Sequence, residues 1–119
     1  MPRHLHPTPA RHARIATTLN SLGILEGSRG RMTIAATHLG EALQTVRAMG
    51  QGDTTMAATM ATNLASILMR LGRYDEAAPL LVGARARLHE TFGESHPAIV
   101  NNENTQAQLA LRRGDVDEA

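Results

Sequence analysis

The chain has 119 residues, a formal net charge of +1 at pH 7 and no cysteine, and its only aromatic rings besides histidine are one tyrosine and one phenylalanine. A length like this is one small domain with a modest core. Its 12 basic residues, all arginine, are balanced by 11 acidic ones, which lacks the clustered cations of a duplex binder; the missing thiols exclude a disulfide framework and a cysteine-ligated zinc.

Residues 1–9, with Pro2 and Pro7, read as a flexible N-terminal tail, and residues 10–119 as the folded domain. The first residues lack the apolar core of a signal peptide. No apolar run approaches the roughly 20 residues of a membrane helix, so the expectation is a soluble, cytoplasmic protein without membrane contact. Bulk must come from Leu, Ile, Val and Met, with many Ala, and that mixture favours helix over strand. A first helix is predicted over 10–29 and a second over 32–49, separated by Gly30. After the turn Gly50-Gln51-Gly52-Asp53, with Asp53 as helix cap, a third runs over 54–71. Its stripe Ala61, Leu64, Ala65, Leu68 has the spacing of one helical face, and Met56 and Met60 are expected in the core. Gly72 ends that helix, where a left-handed residue is needed past the last turn. A fourth helix over 74–92 opens with Asp75 and Glu76, favourable against the helix dipole, and carries the stripe Ala77, Leu81, Ala84, Leu88. The linker Phe92-Gly93-Glu94-Ser95-His96-Pro97 follows, with Ser95 as the natural cap and Pro97 in the first turn. The fifth helix is predicted over 96–113, and a sixth starts at 116, where Asp115 and Glu118 make a capping-box pattern.

The sequence repeats at an offset of 42. Gly30, Gly72 and Gly114 keep register, as do Ala35, Ala77 and Ala119; Leu39 meets Leu81 and Ala42 meets Ala84. The units are about 12–53, 54–95 and a partial 96–119, each a helix pair folded back on itself by a two-residue connection. The fold class is therefore all-α: antiparallel helix pairs stacked as a short α-solenoid of about two and a half repeats.

The stretch Asn63-Leu64-Ala65 through Leu71-Gly72-Arg73-Tyr74-Asp75-Glu76-Ala77-Ala78-Pro79-Leu80, with the linker after it, resembles the tetratricopeptide repeat in its long form, as in kinesin light chains and bacterial regulatory arrays. The resemblance puts the small residues that let paired helices touch at Gly23, Ala65 and Ala107, and at Ala35, Ala77 and Ala119. The bulky position after the glycine falls on Met32, Tyr74 and Val116. Polar replacements at core positions, Glu26 for Leu68, Glu103 for Ala61 and Gln106 for Leu64, fall in the outer units, as capping repeats require.

Catalytic and metal signals are weak. His4, His6 and His12 lack a nearby carboxylate or cysteine, and His89-Glu90 meets Gly93 where the zinc-protease motif needs its second histidine. Gly27-Ser28-Arg29-Gly30-Arg31 lacks the ending and the preceding strand of a phosphate-binding loop. Neither an enzyme, a metal nor a cofactor is expected.

The resemblance implies a concave surface lined by the first helix of each pair. Its positions here are Asn20 and Ile24, then Thr62, Ser66, Met69 and Arg70, then Asn104, Gln108 and Arg112, with Asn63 in the groove or on its edge. Independently of any family, 62, 66, 69 and 70 share one helical face, as do 104, 108 and 112. Amides and hydroxyls both donate and accept, which suits an extended peptide backbone, and Arg70 and Arg112, one repeat apart, suit acidic or carboxylate-ended partners. The expected function is a scaffold that binds a protein or peptide in this groove. The alternative is a regulatory or spacer segment of a larger multidomain signalling protein, and open repeat ends allow self-association.

Overall fold

A computed structural model describes residues 9–50 and 54–118, which form five helices and no strand. They are α1 (Pro9–Ser28), α2 (Met32–Ala48), α3 (Thr55–Arg70), α4 (Tyr74–Phe92) and α5 (Pro97–Glu118). The helix pairs α1/α2 and α3/α4 lie back to back, α3 also rests on α2, and α5 packs on α4 and α3. This is the expected all-α stack of antiparallel helix pairs. Of the expected tail over 1–9, Pro9 instead opens α1, and residues 1–8 lie outside the described residues.

The two turns inside the pairs are built alike. Gly72, at φ +76°, donates its N–H to the Met69 carbonyl, and the Arg73 N–H reaches back to Leu68. Gly30, at φ +81°, repeats this with Gly27 while Arg31 reaches Glu26. Only glycine takes that left-handed backbone without strain, so one residue both closes a helix and turns the chain into the next. Arg31 and Arg73 then stand at the starts of α2 and α4 without a side-chain cap. Arg73 instead grips Glu76 through two bonds of 2.6 and 2.7 Å. The hydrogen bond from Arg73 holds the Glu76 carboxyl below its usual range, partly opposed by desolvation. A lowered carboxyl stabilises at neutral pH and loses that contribution as pH falls through the lowered value. Both groups are open to water, so the pair adds little.

The connections between units differ in detail from the sequence reading. Thr54 caps α3, its side chain accepting from Ala57 N at 3.2 Å; Asp53 lies outside the described residues. At the start of α5 the cap is His96, not Ser95: His96 Nδ1 accepts from Ala98 N at 3.1 Å. The His96 ring stacks on Phe92 with centroids 3.8 Å apart, which places the imidazole for that bond. Pro97 opens α5 as expected.

The larger correction is at the C-terminal end. Gly114 does not end a helix, and no sixth helix starts at 116, because α5 continues to Glu118. A turn such as that at Gly72 is held by the packed helix that follows it. At Gly114 the backbone keeps its helical form without a positive φ, and the glycine stays in the helix. Ala107, expected to touch a partner helix like Gly23 and Ala65, is exposed.

Two apolar clusters fill the stack. One joins Ala42, Leu43 and Val46 of α2 to Ala57, Met60 and Ala61 of α3, Leu88 of α4 and Ile99 of α5. The other joins Ala35 and Leu39 to Ala65 and Leu68, Ala77 and Leu81, and Leu109. Met60 is buried as expected, and Met56 packs against the first cluster. Close approach is tightest at Gly23, where an added Cβ would lie 2.5 Å from Leu39 Cγ and 3.2 Å from the Ala35 carbonyl oxygen. Leu39 is fully buried and has nowhere to go. Gly23→Ala should therefore cost about 1–3 kcal/mol by overpacking, measured by urea denaturation. At Gly27 the nearest atom is the tip of Ile67, at 2.8 Å, which can swing aside. Gly27→Ala should be nearly neutral, and an equal loss at both sites would refute the packing argument.

Candidate functional site

The sequence places the candidate residues on the first helices of the pairs, α1, α3 and α5. Between α1 and α3 the fold leaves a cavity of about 240 Å³. Its lining includes Ile24 and Ser28 from α1 and Asn63, Ser66, Ile67 and Arg70 from α3. Asn20 joins it through a side-chain bond, Asn63 Nδ2 donating to Asn20 Oδ1 at 3.3 Å. Gly27 keeps the α1 side low, which leaves room for Ile67 as an apolar floor. Half-exposed Ile24 stands opposite, and Arg70, in the last turn of α3, carries its charge on the rim. No ion pair engages Arg70 or Arg112 among the described residues. The arrangement is an apolar seat edged by amides, a hydroxyl and one unengaged guanidinium. It can hold a side chain while its rim bonds a backbone or a carboxylate.

Two expected groove residues are not there. Thr62 and Met69 are both 3% exposed. They sit seven positions apart, on the flank of α3 that α5 covers. Leu109 of α5 joins Met69 in one apolar cluster. The Thr62 hydroxyl donates to the Ala58 carbonyl at 3.0 Å and accepts from Asn102 Nδ2 at 3.1 Å. The face shared by 62, 66, 69 and 70 is therefore split: Ser66 and Arg70 look onto the cavity, and Thr62 and Met69 lie under α5. Asn104, Gln108 and Arg112 are exposed along α5, outside the cavity.

Asn102 is the residue that sequence reasoning missed. It is fully buried, and its Nδ2 also donates to the Leu81 carbonyl at 3.1 Å, while Oδ1 accepts from Gln106 Nε2 at 2.6 Å. One amide thus ties α5 to α3 and α4. The signal was in the repeat: 42 residues earlier stands the core residue Met60. An amide in a core register must find partners, and Gln106, which replaces Leu64, is one of them. Arg85 with Glu103 (2.8 Å) and Arg113 with Asp75 (2.6 Å) add exposed ion pairs between α4 and α5.

Two family profiles, both described as Tetratricopeptide repeat, match residues 15–53 and 56–119. The chain belongs to the tetratricopeptide repeat family. Among solved structures, BtubC (BKLC) from P. vanneervenii superposes with a TM-score of 0.79 at 25% sequence identity, over 86% of this chain and 40% of that one. The chain therefore spans about two fifths of the length of that relative. No curated protein matches the sequence. Tetratricopeptide repeats are generally protein-interaction modules, and no described helix is long and apolar enough to cross a membrane.

Proposed function

We propose that this tetratricopeptide repeat chain is a cytoplasmic scaffold, not a catalyst, and that it takes a segment of a partner protein in the groove between α1 and α3. The observation that carries this reading is the α1/α3 cavity, where Ile24 and Ile67 offer an apolar seat beside Asn63, Ser66 and the unengaged Arg70. Asn20 and Asn63, already bonded to each other, retain capacity for a peptide backbone. The free guanidinium favours acidic or carboxylate-ended segments. Asn104, Gln108 and Arg112 extend the polar surface along α5 for a longer ligand. Thr62 has no part in it, since its hydroxyl is spoken for inside the fold.

The test is capture of peptides from an immobilised library of acidic, carboxylate-ended sequences. Arg70→Ala should weaken capture about tenfold, near the low end of a charged hydrogen bond on an open groove. It should leave the dichroism spectrum unchanged, because the residue is exposed. The effect should shrink as salt rises. Arg85→Ala, on α4, is the control and should do little. Affinity indifferent to Arg70, Arg112 and Asn104 together would rule the groove out.

A second reading, a regulatory or spacer segment within a larger multidomain protein, is favoured by the 40% coverage of BtubC. In that case the groove is filled by another domain of the same protein. Fusion of the neighbouring sequence would then block peptide capture in cis.

A further inference from the structure

On the outer face, α2 and α4 both rest on α3, and among the described residues their backbones do not approach each other closely. Two adjoining hollows lie along the cleft between them. One stretch, of about 470 Å³, lies over Leu64 and Leu68 with Ala36 and Gly40 as one wall. The next, of about 190 Å³, lies over Ala57 and Ala58 and reaches Gly83, Arg47 and Arg87. Pro79 and Leu80 line both. From Thr33 to Arg47 the cleft follows α2 for about 20 Å, given 1.5 Å per helical residue.

Two features mark this cleft as more than a seam. Gly40 and Gly83 lie inside helices, where glycine is unfavourable relative to alanine. Neither has a positive φ, and a Cβ at either would meet no atom within 4 Å. The chain's own packing therefore gives no reason for them, in contrast to Gly23 against Leu39. What they provide is low walls over an apolar floor. The second feature is charge. At one end Arg73 is neutralised by Glu76. At the other end Arg47 has no ion pair among the described residues, and it stands beside Arg87, which bonds Glu90 at 2.8 Å.

We infer that this outer cleft docks a partner helix that seats one ridge of aliphatic side chains over Gly40 and Gly83 and places carboxylates against Arg47. Small walls let the ridge approach closely, as an amphipathic helix does in an apolar groove. The length accommodates about four helical turns. The cleft is reached from a different face of α3 than Ser66 and Arg70, so it is separate from the groove proposed above.

The probe is a synthetic alanine-rich helix of about 15 residues, matched to the cleft length, with leucines at i, i+4 and i+7 and two glutamates at one end. A twin ends in two lysines. Calorimetric titration of the full chain should show the glutamate peptide binding at least tenfold tighter than its twin. Gly83→Leu fills the groove and raises helix propensity, so the fold should persist by dichroism while binding falls at least tenfold. Arg47→Glu should reverse the preference between the peptides. Unchanged binding to Gly83→Leu would overturn the inference. So would an equal loss in Arg70→Ala, which would put the peptide in the α1/α3 groove and leave that reading standing. Sedimentation of the chain alone should show the same state for wild type and Gly83→Leu. If the substitution dissolves a dimer, a second copy occupies the cleft and the partner-helix assignment falls.

Discussion

Leu81→Ala should destabilise the chain by about 2–5 kcal/mol, the usual cost of a core cavity. Leu81 is fully buried in the cluster that joins α2, α3, α4 and α5, so its removal empties a place where four helices meet. Small domains have about 5–15 kcal/mol in total, and the loss is a large share of that. The melting temperature should drop by roughly 10 °C or more, read by dichroism at 222 nm. Val82→Ala is the matched control one position away. Val82 is 62% exposed, and the change should stay within about 0.5 kcal/mol. Equal losses at 81 and 82 would mean that α4 is turned differently on the stack.

Asn102→Ala should cost roughly 2–4 kcal/mol, combining a small cavity with partners left unsatisfied. Removing the amide takes from Gln106 its acceptor and from Thr62 and the Leu81 carbonyl their donor. The damage should be local as well as global. Among the described residues of α5, only Ile99 and Leu109 are buried apolar ones, so the helix depends heavily on this amide. Amide exchange should accelerate across α5 more than across α1 and α2. Asn102→Leu is the sharper test, since it supplies apolar volume but still leaves Gln106 without its partner. If both variants match wild type in stability and exchange, the network does not hold α5.

Much of the fold was legible because helix pairs in register repeat a few strict physical demands. Gly30 and Gly72 announced themselves by position and composition, and the stripes at Leu64 and Leu81 followed the helical period. Gly114 misled for an instructive reason. The same residue in the same register ends a helix at Gly72 and stays inside one at Gly114, because the turn depends on tertiary packing and not on the residue alone. Ser95 lost to His96 because a ring stack on Phe92 aims the imidazole at the backbone, a geometry that residue preference does not carry. The groove was half legible. Helical phase put Ser66 and Arg70 on one face, but phase cannot tell which part of that face a later helix covers. Thr62 and Met69 went under α5. Asn102 broke the expectation that polar residues of the third unit point to water, because it bridges three helices instead.

The most direct test of the account is amide chemical-shift mapping of the isotopically labelled chain, titrated with an acidic peptide selected from the capture library. Shifts should centre on Asn20, Ile24, Asn63, Ser66 and Arg70 and extend to Asn104, Gln108 and Arg112 for longer peptides, with Thr62 little moved. Shifts confined to α2 and α4, with α1 and α3 silent, would contradict it.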